Sequence, residues 1–161
     1  MIEQTVQDRT QWLVEHLGKG ACSRSSLMAV LPAREDGLAL QRIIGACEWE
    51  LQWTRTCAEA IATFRRTTPA VVICDRDLID GDWRKLWNIL AHASRPPIFI
   101  VASRLADEAL WAEVLNVGGH DLLLKPFRAE EVIRVVHAAA TQLPSPTSIP
   151  CQASITAGQT V

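Results

Sequence analysis

The sequence predicts a doubly wound α/β fold built on a parallel sheet. Its most apolar stretches, such as residues 70–74 and 98–101, are short continuous runs without alternation. A continuous run of this length is typical of a strand buried on both faces, as in a parallel sheet. Segments with helical spacing separate these runs, and strict alternation with short connections predicts helices on both faces of the sheet.

Five strand–helix units account for residues 26–141. The predicted strands cover residues 26–31, 51–54, 70–75, 98–101 and 121–124. The predicted helices cover residues 35–46, 57–66, 83–90, 107–116 and 128–141. Five such units in about 115 residues fit the flavodoxin-like arrangement, with strand order 2-1-3-4-5.

Local signals justify the first units in turn. Pro32 stops the first strand, and Glu35 and Asp36 lie in the first turn of the first helix, where acids complement the helix dipole. Thr56 is the predicted N-cap of the second helix, with Glu59 at the capping-box position.

The later units have equally clear boundaries. Asp82 is placed to cap the third helix, whose apolar residues recur at i, i+3, i+4 and i+7 and include Trp83 and Trp87. A tryptophan stripe at that spacing is typical of a core-facing side. Gly118 and Gly119 end the fourth helix.

The length and composition of the chain indicate one globular domain with a flanking segment on each side. The chain has 161 residues, of which 1–25 read as an extension with a helix and linker and 142–161 as a disordered tail. A net charge of −2 favours neither nucleic acid nor a membrane surface as partner. Five cysteines without a CxxC pair indicate a reducing, cytoplasmic setting, with Cys74 packed in the core.

Asp75 ends the central strand, so it would lie at the carboxyl edge of the sheet, where open α/β sheets place their ligands. A nucleophile is expected in that position. A turn-capping role for the same aspartate fits this stretch equally well.

Three stretches together resemble a response-regulator receiver domain of two-component signalling. They are residues 71–82 with the Asp-ended strand, residues 97–103, and residues 118–127 with Lys125-Pro126-Phe127. The resemblance implies that Asp75 accepts a phosphoryl group from a phosphohistidine, that Lys125 neutralises the phosphoryl oxygens, and that the Asp77 backbone helps to hold Mg²⁺. It also implies a cis Lys125–Pro126 bond. We expect Asp75 and Lys125 at the same edge of the sheet, with their side chains within salt-bridge range, roughly 4 Å.

The chain departs from the family at the metal site. Receivers carry an adjacent acidic pair at the end of strand 1 for Mg²⁺, and Leu31 and Pro32 stand at those positions. Glu35 and Asp36 follow a few residues later and either reach back to the site or serve only the helix turn. The Asp75 carboxylate and the Asp77 backbone carbonyl alone would leave most of an octahedral Mg²⁺ shell to water, so we expect weak or absent Mg²⁺ binding.

The positions that respond to phosphorylation in the family are also altered. Ala102 stands where receivers have a Thr or Ser, and Ser103 replaces it only if the strand end shifts by one residue. Leu122 occupies the position of the usual aromatic on strand 5.

Three functions follow from this pattern. The first is a stand-alone phosphoacceptor, supplied by a histidine kinase or phosphotransfer protein and acting through a downstream protein partner. The second is a pseudo-receiver that binds proteins without phosphorylation. The third, a small flavodoxin-like enzyme, lacks support because the chain has neither GxGxxG nor GxxxxGK[ST].

The last helix carries a candidate interaction surface. Val132, Val135, Val136 and Ala139 form a stripe that should pack on the sheet. Ile133 lies off that stripe, on a row with His137. Receivers commonly use the face of helix 4, strand 5 and helix 5 to bind partners or a second copy, so Ile133, His137 and Leu122 are predicted to contribute to a homodimer or docking site. The alternative is that Ile133 is a scattered surface residue.

Overall fold

A computed structural model describes residues 26–105 and 107–143. Within them a five-stranded parallel sheet has the order β2-β1-β3-β4-β5, which confirms the predicted topology. Its strands are β1 (Ser26–Val30), β2 (Glu50–Thr54), β3 (Val71–Asp75), β4 (Ile98–Ser103) and β5 (Asp121–Leu124). The predictions for residues 1–25 and 144–161 fall outside the described residues.

Five helices alternate with the strands. They are α1 (Arg34–Gly45), α2 (Cys57–Thr67), α3 (Trp83–Leu90), α4 (Glu108–Asn116) and α5 (Ala129–Gln142). Their ends agree with the predicted ones to within one residue. The predicted caps are present: the Thr56 hydroxyl accepts from the Glu59 N–H, and the Asp82 carboxylate accepts from the Lys85 N–H, both at 3.1 Å.

β4 is two residues longer than predicted, the other strands differ from their predicted bounds by at most one residue, and one element was not predicted. β4 extends to Ser103 because Ala102 and Ser103 still pair with Leu123 and Leu124 of β5. An antiparallel hairpin of Asp77–Leu78 with Gly81–Asp82 follows β3. Two-residue strands leave no hydrophobic period from which to recognise them.

The core has one layer on each face of the sheet, because successive strand residues point to opposite faces. Met28 and Val30 pack with α2, α3 and α4, whereas Leu27 and Ala29 pack with α1 and α5. The tryptophan stripe on α3 lies in the first layer, as predicted. No helix among the described residues is long and apolar enough to cross a membrane.

Helix α5 corrects the predicted interaction surface. Its sheet-facing stripe is buried as expected, but Ile133 is also buried, with 6% of its surface exposed. Leu122 on β5 is buried too. The apolar arc of α5 is wider than one stripe and is covered within the fold, so Ile133 and Leu122 do not present the exposed apolar surface that the sequence suggested.

Candidate functional site

Asp75 and Lys125 meet at the carboxyl edge of the sheet. Asp75 is the last residue of β3, and Lys125 directly follows β5, where its N–H donates to the Ser103 carbonyl at 2.9 Å. Both residues are buried, each 7% exposed. The Lys125 Nζ donates to the Asp75 Oδ2, which confirms their predicted contact. The Lys125–Pro126 bond is cis, as the resemblance implied.

Asp75 also has the turn-capping contact that the sequence left open. Its Oδ1 accepts from the Asp77 N–H at 3.2 Å. One carboxylate oxygen therefore holds the start of the hairpin while the other faces Lys125, so the two roles considered for this residue are compatible.

Asp36 is the second carboxylate of the site. It lies in the first turn of α1, yet the residue is only 5% exposed and its carboxylate accepts from the Lys125 Nζ at 3.0 Å. Lys125 thus lies between two carboxylates, on α1 and β3. Glu35, the neighbouring candidate, is exposed.

Arg104 is a residue that the sequence reasoning missed. It directly follows β4, and its Nη2 lies 3.4 Å from the Asp36 Oδ1, with 58% of the side chain exposed. The sequence could have indicated Arg104 by its position, because it follows a predicted parallel strand whose carboxyl end lies at the same edge of the sheet as Asp75. The strand predicted from the sequence ends at Val101, so Arg104 lies outside every predicted element.

The β1–α1 connection explains why Asp36 reaches the site. Leu31 is buried in the α1/α5 layer, and the Trp53 Nε1 donates to its carbonyl at 3.0 Å. The Arg55 Nε and Nη2 donate to the Pro32 carbonyl at 3.1 and 3.0 Å. The Trp53 ring lies directly against Gly37, where an added Cβ would come within 2.1 Å of it. The glycine next to Asp36 lets the first turn of α1 approach this corner.

These residues do not fit the Mg²⁺ site that the fold family implies. Mg²⁺ requires several oxygen ligands in near-octahedral geometry. Within residues 26–105 and 107–143, no group of three or more His, Cys, Asp or Glu side chains is placed to hold a metal ion. Asp36 and Asp75 both contact Lys125, and Asp77 points its largely exposed carboxylate toward Arg76, 3.6 Å away.

The predicted response positions lack a free hydroxyl near Asp75. Ala102 is fully buried and pairs with Asp75 across the β3–β4 ladder. Ser103 is buried as well, and its Oγ donates to the Leu105 carbonyl and accepts from the Leu105 N–H, both at 3.1 Å. In this conformation the Ser103 hydroxyl closes a local turn.

Cys74 has the core role that the sequence suggested. It is fully buried one residue before Asp75. Burial raises the pKa of its thiol well above the usual value, and the negative charge of Asp75 adds to that effect. The thiol is therefore kept protonated, which suits packing and disfavours nucleophilic chemistry.

Comparisons with solved structures find receiver domains consistently. A two-component response regulator from Clostridium difficile is 19% identical, with a TM-score of 0.68 over 76% of this chain and 100% of its own. The chemotaxis response regulator CheY4 of Vibrio cholerae is 16% identical, with a TM-score of 0.67 over 73% of this chain and 99% of its own. The non-phosphorylated HemR receiver domain from Leptospira biflexa is 19% identical, with a TM-score of 0.65 over 78% of this chain and 100% of its own.

No family model and no curated protein matches the chain. The structural likeness spans nearly the whole length of each of these receiver domains. The sheet order and the alternation of strands and helices agree with it. The chain therefore has the fold of response-regulator receiver domains.

Proposed function

We propose that this chain is a receiver-type signalling protein that accepts a phosphoryl group on Asp75. The donor is a phosphohistidine of a histidine kinase or phosphotransfer protein, and the output runs through a protein partner. The observation that carries the proposal is the buried contact between Asp75 and Lys125 at the carboxyl edge of the sheet. Such an edge is where folds of this type place their ligands.

The chemistry needs a carboxylate nucleophile and a nearby cation. The Asp75 carboxylate oxygen attacks phosphorus, the P–N bond of the phosphohistidine breaks, and the electron pair leaves with the imidazole, which takes up a proton. The product is an acyl phosphate. Lys125 then neutralises phosphoryl oxygens, since phosphoryl transfer depends mainly on positioning and charge stabilisation.

The first test is incorporation of a phosphoryl group from phosphoramidate, followed by intact-mass measurement and peptide mapping. We expect one phosphoryl group per chain on wild type and none on Asp75→Asn. Asp77→Asn is the matched control, because Asp77 is an exposed carboxylate on the same edge. It should retain the label. Label on another residue, or no label in any buffer, would contradict the proposal.

A second candidate is a protein-binding module that works without phosphorylation. Two observations favour it: Lys125 is shared between two carboxylates, and the Ser103 hydroxyl is committed to Leu105. The two functions differ in one measurement. If capture of partner proteins by Asp75→Asn equals capture by wild type before and after phosphoramidate treatment, the second function is favoured.

A further inference from the structure

The site holds as many cationic as anionic side chains. Asp36 and Asp75 supply two carboxylates, and Lys125 and Arg104 supply two cations. Lys125 bridges both carboxylates, whereas the largely exposed Arg104 pairs with Asp36 alone among the residues that the structure describes. Nothing in the sequence pattern or the fold assigns a role to Arg104.

We propose that this site accepts its phosphoryl group without a divalent cation, because Arg104 and Lys125 together supply the positive charge. The inference rests on the proposed function of Asp75. It follows from the misfit between the residues present and a Mg²⁺ site, and from the position of the second cation.

The charges after transfer support this assignment. An acyl phosphate on Asp75 carries about two negative charges near neutral pH, as other phosphorylated side chains do. With the Asp36 carboxylate and the two cations, the site has a net charge of about −1. A receiver site with two metal-binding acids, one lysine and bound Mg²⁺ reaches the same value. Compared with that receiver site, this site has one carboxylate fewer and one arginine more. These two changes together replace the two positive charges of Mg²⁺.

The geometry indicates that Arg104 keeps the Asp36 carboxylate paired during phosphoryl transfer. When Lys125 turns toward the phosphoryl oxygens, Asp36 loses its contact with Lys125. Asp36 is buried, and a buried carboxylate without a cation is strongly unfavourable. Arg104 already contacts its other oxygen, so the carboxylate stays paired. The exposed guanidinium also has further N–H donors, and its planar fork suits phosphoryl oxygens.

The bonds that form and break during the transfer do not require a metal ion. With phosphoramidate as donor, an Asp75 oxygen forms the new P–O bond and the P–N bond breaks. The nitrogen keeps the electron pair and leaves as ammonia after gaining a proton. Lys125 and Arg104 offset the charge on the equatorial phosphoryl oxygens during this exchange.

The test compares initial rates of phosphoryl incorporation from phosphoramidate with Mg²⁺ and in a chelating buffer. Wild type should be labelled on Asp75 at the same rate in both. Arg104→Gln should slow labelling in the chelating buffer by about tenfold or more, because loss of one charge-assisted donor to a transition-state oxygen has effects of at least this size. Arg104→Lys should recover part of the rate, since it keeps the charge.

Arg76→Gln is the matched control, because Arg76 lies at the same edge but pairs with Asp77. It should be labelled like wild type. Circular dichroism and thermal unfolding of each variant separate a folding defect from a charge effect. Tryptophan fluorescence during a Mg²⁺ titration gives a readout independent of labelling, and we expect no saturable change at millimolar Mg²⁺.

The outcomes separate this inference from the proposed function. Labelling of wild type that requires Mg²⁺, or saturable Mg²⁺ binding that Asp36→Asn abolishes, overturns the inference and leaves Asp75 as acceptor. Metal-free labelling that is equally fast in Arg104→Gln overturns the role of Arg104. Absence of label under both conditions overturns the proposed function and this inference together.

Discussion

At the scale of single residues, the site is a buried ammonium between two buried carboxylates. Lys125 contacts Asp36 at 3.0 Å and also contacts Asp75, and all three side chains are at most 10% exposed. In such a place, the attraction between the ions offsets the loss of their hydration only while every partner is present. The three charges therefore form one energetic unit.

Lys125→Met should lower the free energy of unfolding by about 3–5 kcal/mol, because it leaves two buried carboxylates close together without their shared cation. Adding Asp36→Asn to this variant should restore part of the loss, since Asp75 then no longer lies close to a second negative charge. Urea unfolding at pH 7 of both single variants and the double variant measures the coupling.

Lys85→Met is the control for this series. Lys85 is exposed, and its Nζ donates only to the Asp80 carbonyl among the described residues, at 3.0 Å. Its loss should change the free energy of unfolding by less than about 1 kcal/mol. Equal effects of Lys85→Met and Lys125→Met would show that the Lys125 contacts are energetically unimportant.

At the scale of elements, two helix starts depend on residues from elsewhere in the chain. The first turn of α1 lies against Trp53 of β2 through Gly37. The N-terminus of α2 is capped by Asp80 in the turn of the hairpin, whose two carboxylate oxygens accept from the Cys57 and Ala58 N–H groups at 2.7 and 3.0 Å. The first contact involves the helix that carries Asp36, and the second involves the hairpin whose Asp77 N–H donates to Asp75.

Gly37→Ala should destabilise the fold by about 1–3 kcal/mol, the usual range for overpacking, despite the better helix propensity of alanine. The new Cβ would lie 2.1 Å from the Trp53 ring, which must move. Gly45→Ala in the same helix is the matched control, since nothing lies within 4 Å of an added Cβ there. It should be neutral or stabilise by up to about 1 kcal/mol. Denaturant midpoints that shift alike in the two variants would contradict this packing.

Asp80→Ala should cost about 1 kcal/mol at pH 7, because two N–H groups at the start of α2 lose their acceptor. The pKa of Asp80 is lowered, mainly by the hydrogen bond from the Cys57 N–H. A lowered pKa in the folded state stabilises the protein above the unfolded pKa of about 3.9 and loses that effect as the pH falls through the folded value.

The difference between wild type and Asp80→Ala should therefore shrink below about pH 4. Thermal unfolding at several pH values measures it. Asp77→Ala, which removes an exposed carboxylate from the same hairpin, should change stability by less than about 0.5 kcal/mol. A difference that grows toward acidic pH would contradict the cap.

At the scale of the whole molecule, the central strand β3 is buried along its full length between two helix layers. Cys74 belongs to the layer formed with α2, α3 and α4. Backbone N–H groups and side chains in such a position reach solvent only when the sheet opens. Their hydrogen exchange or chemical labelling therefore reports global unfolding.

Cys74 should react with iodoacetamide far more slowly than Cys47, which is partly exposed. Its reaction requires unfolding because it is fully buried, and burial raises the pKa of both thiols, most strongly that of Cys74. Peptide mapping by mass spectrometry after timed labelling gives both rates, with a urea-unfolded sample as control. Equal rates in the native protein would mean that the sheet opens locally at β3.

The sequence by itself determined the strand order, the helix ends and the pairing of Asp75 with Lys125. Each depends on a local or repeated signal: buried strands are continuous apolar runs, caps have fixed spacing, and the carboxyl ends of parallel strands lie at one edge. Only the tertiary structure decided the place of Asp36, the contact of Arg104 and the burial of Ile133. The Asp36 contact spans 89 positions in sequence to Lys125 and 68 to Arg104, and the packing of Trp53 on Gly37 accompanies it. The periodicity of a sequence contains no information about such long-range contacts. An acidic residue in the first turn of a helix has the same local pattern whether it faces solvent or a lysine from a distant part of the chain.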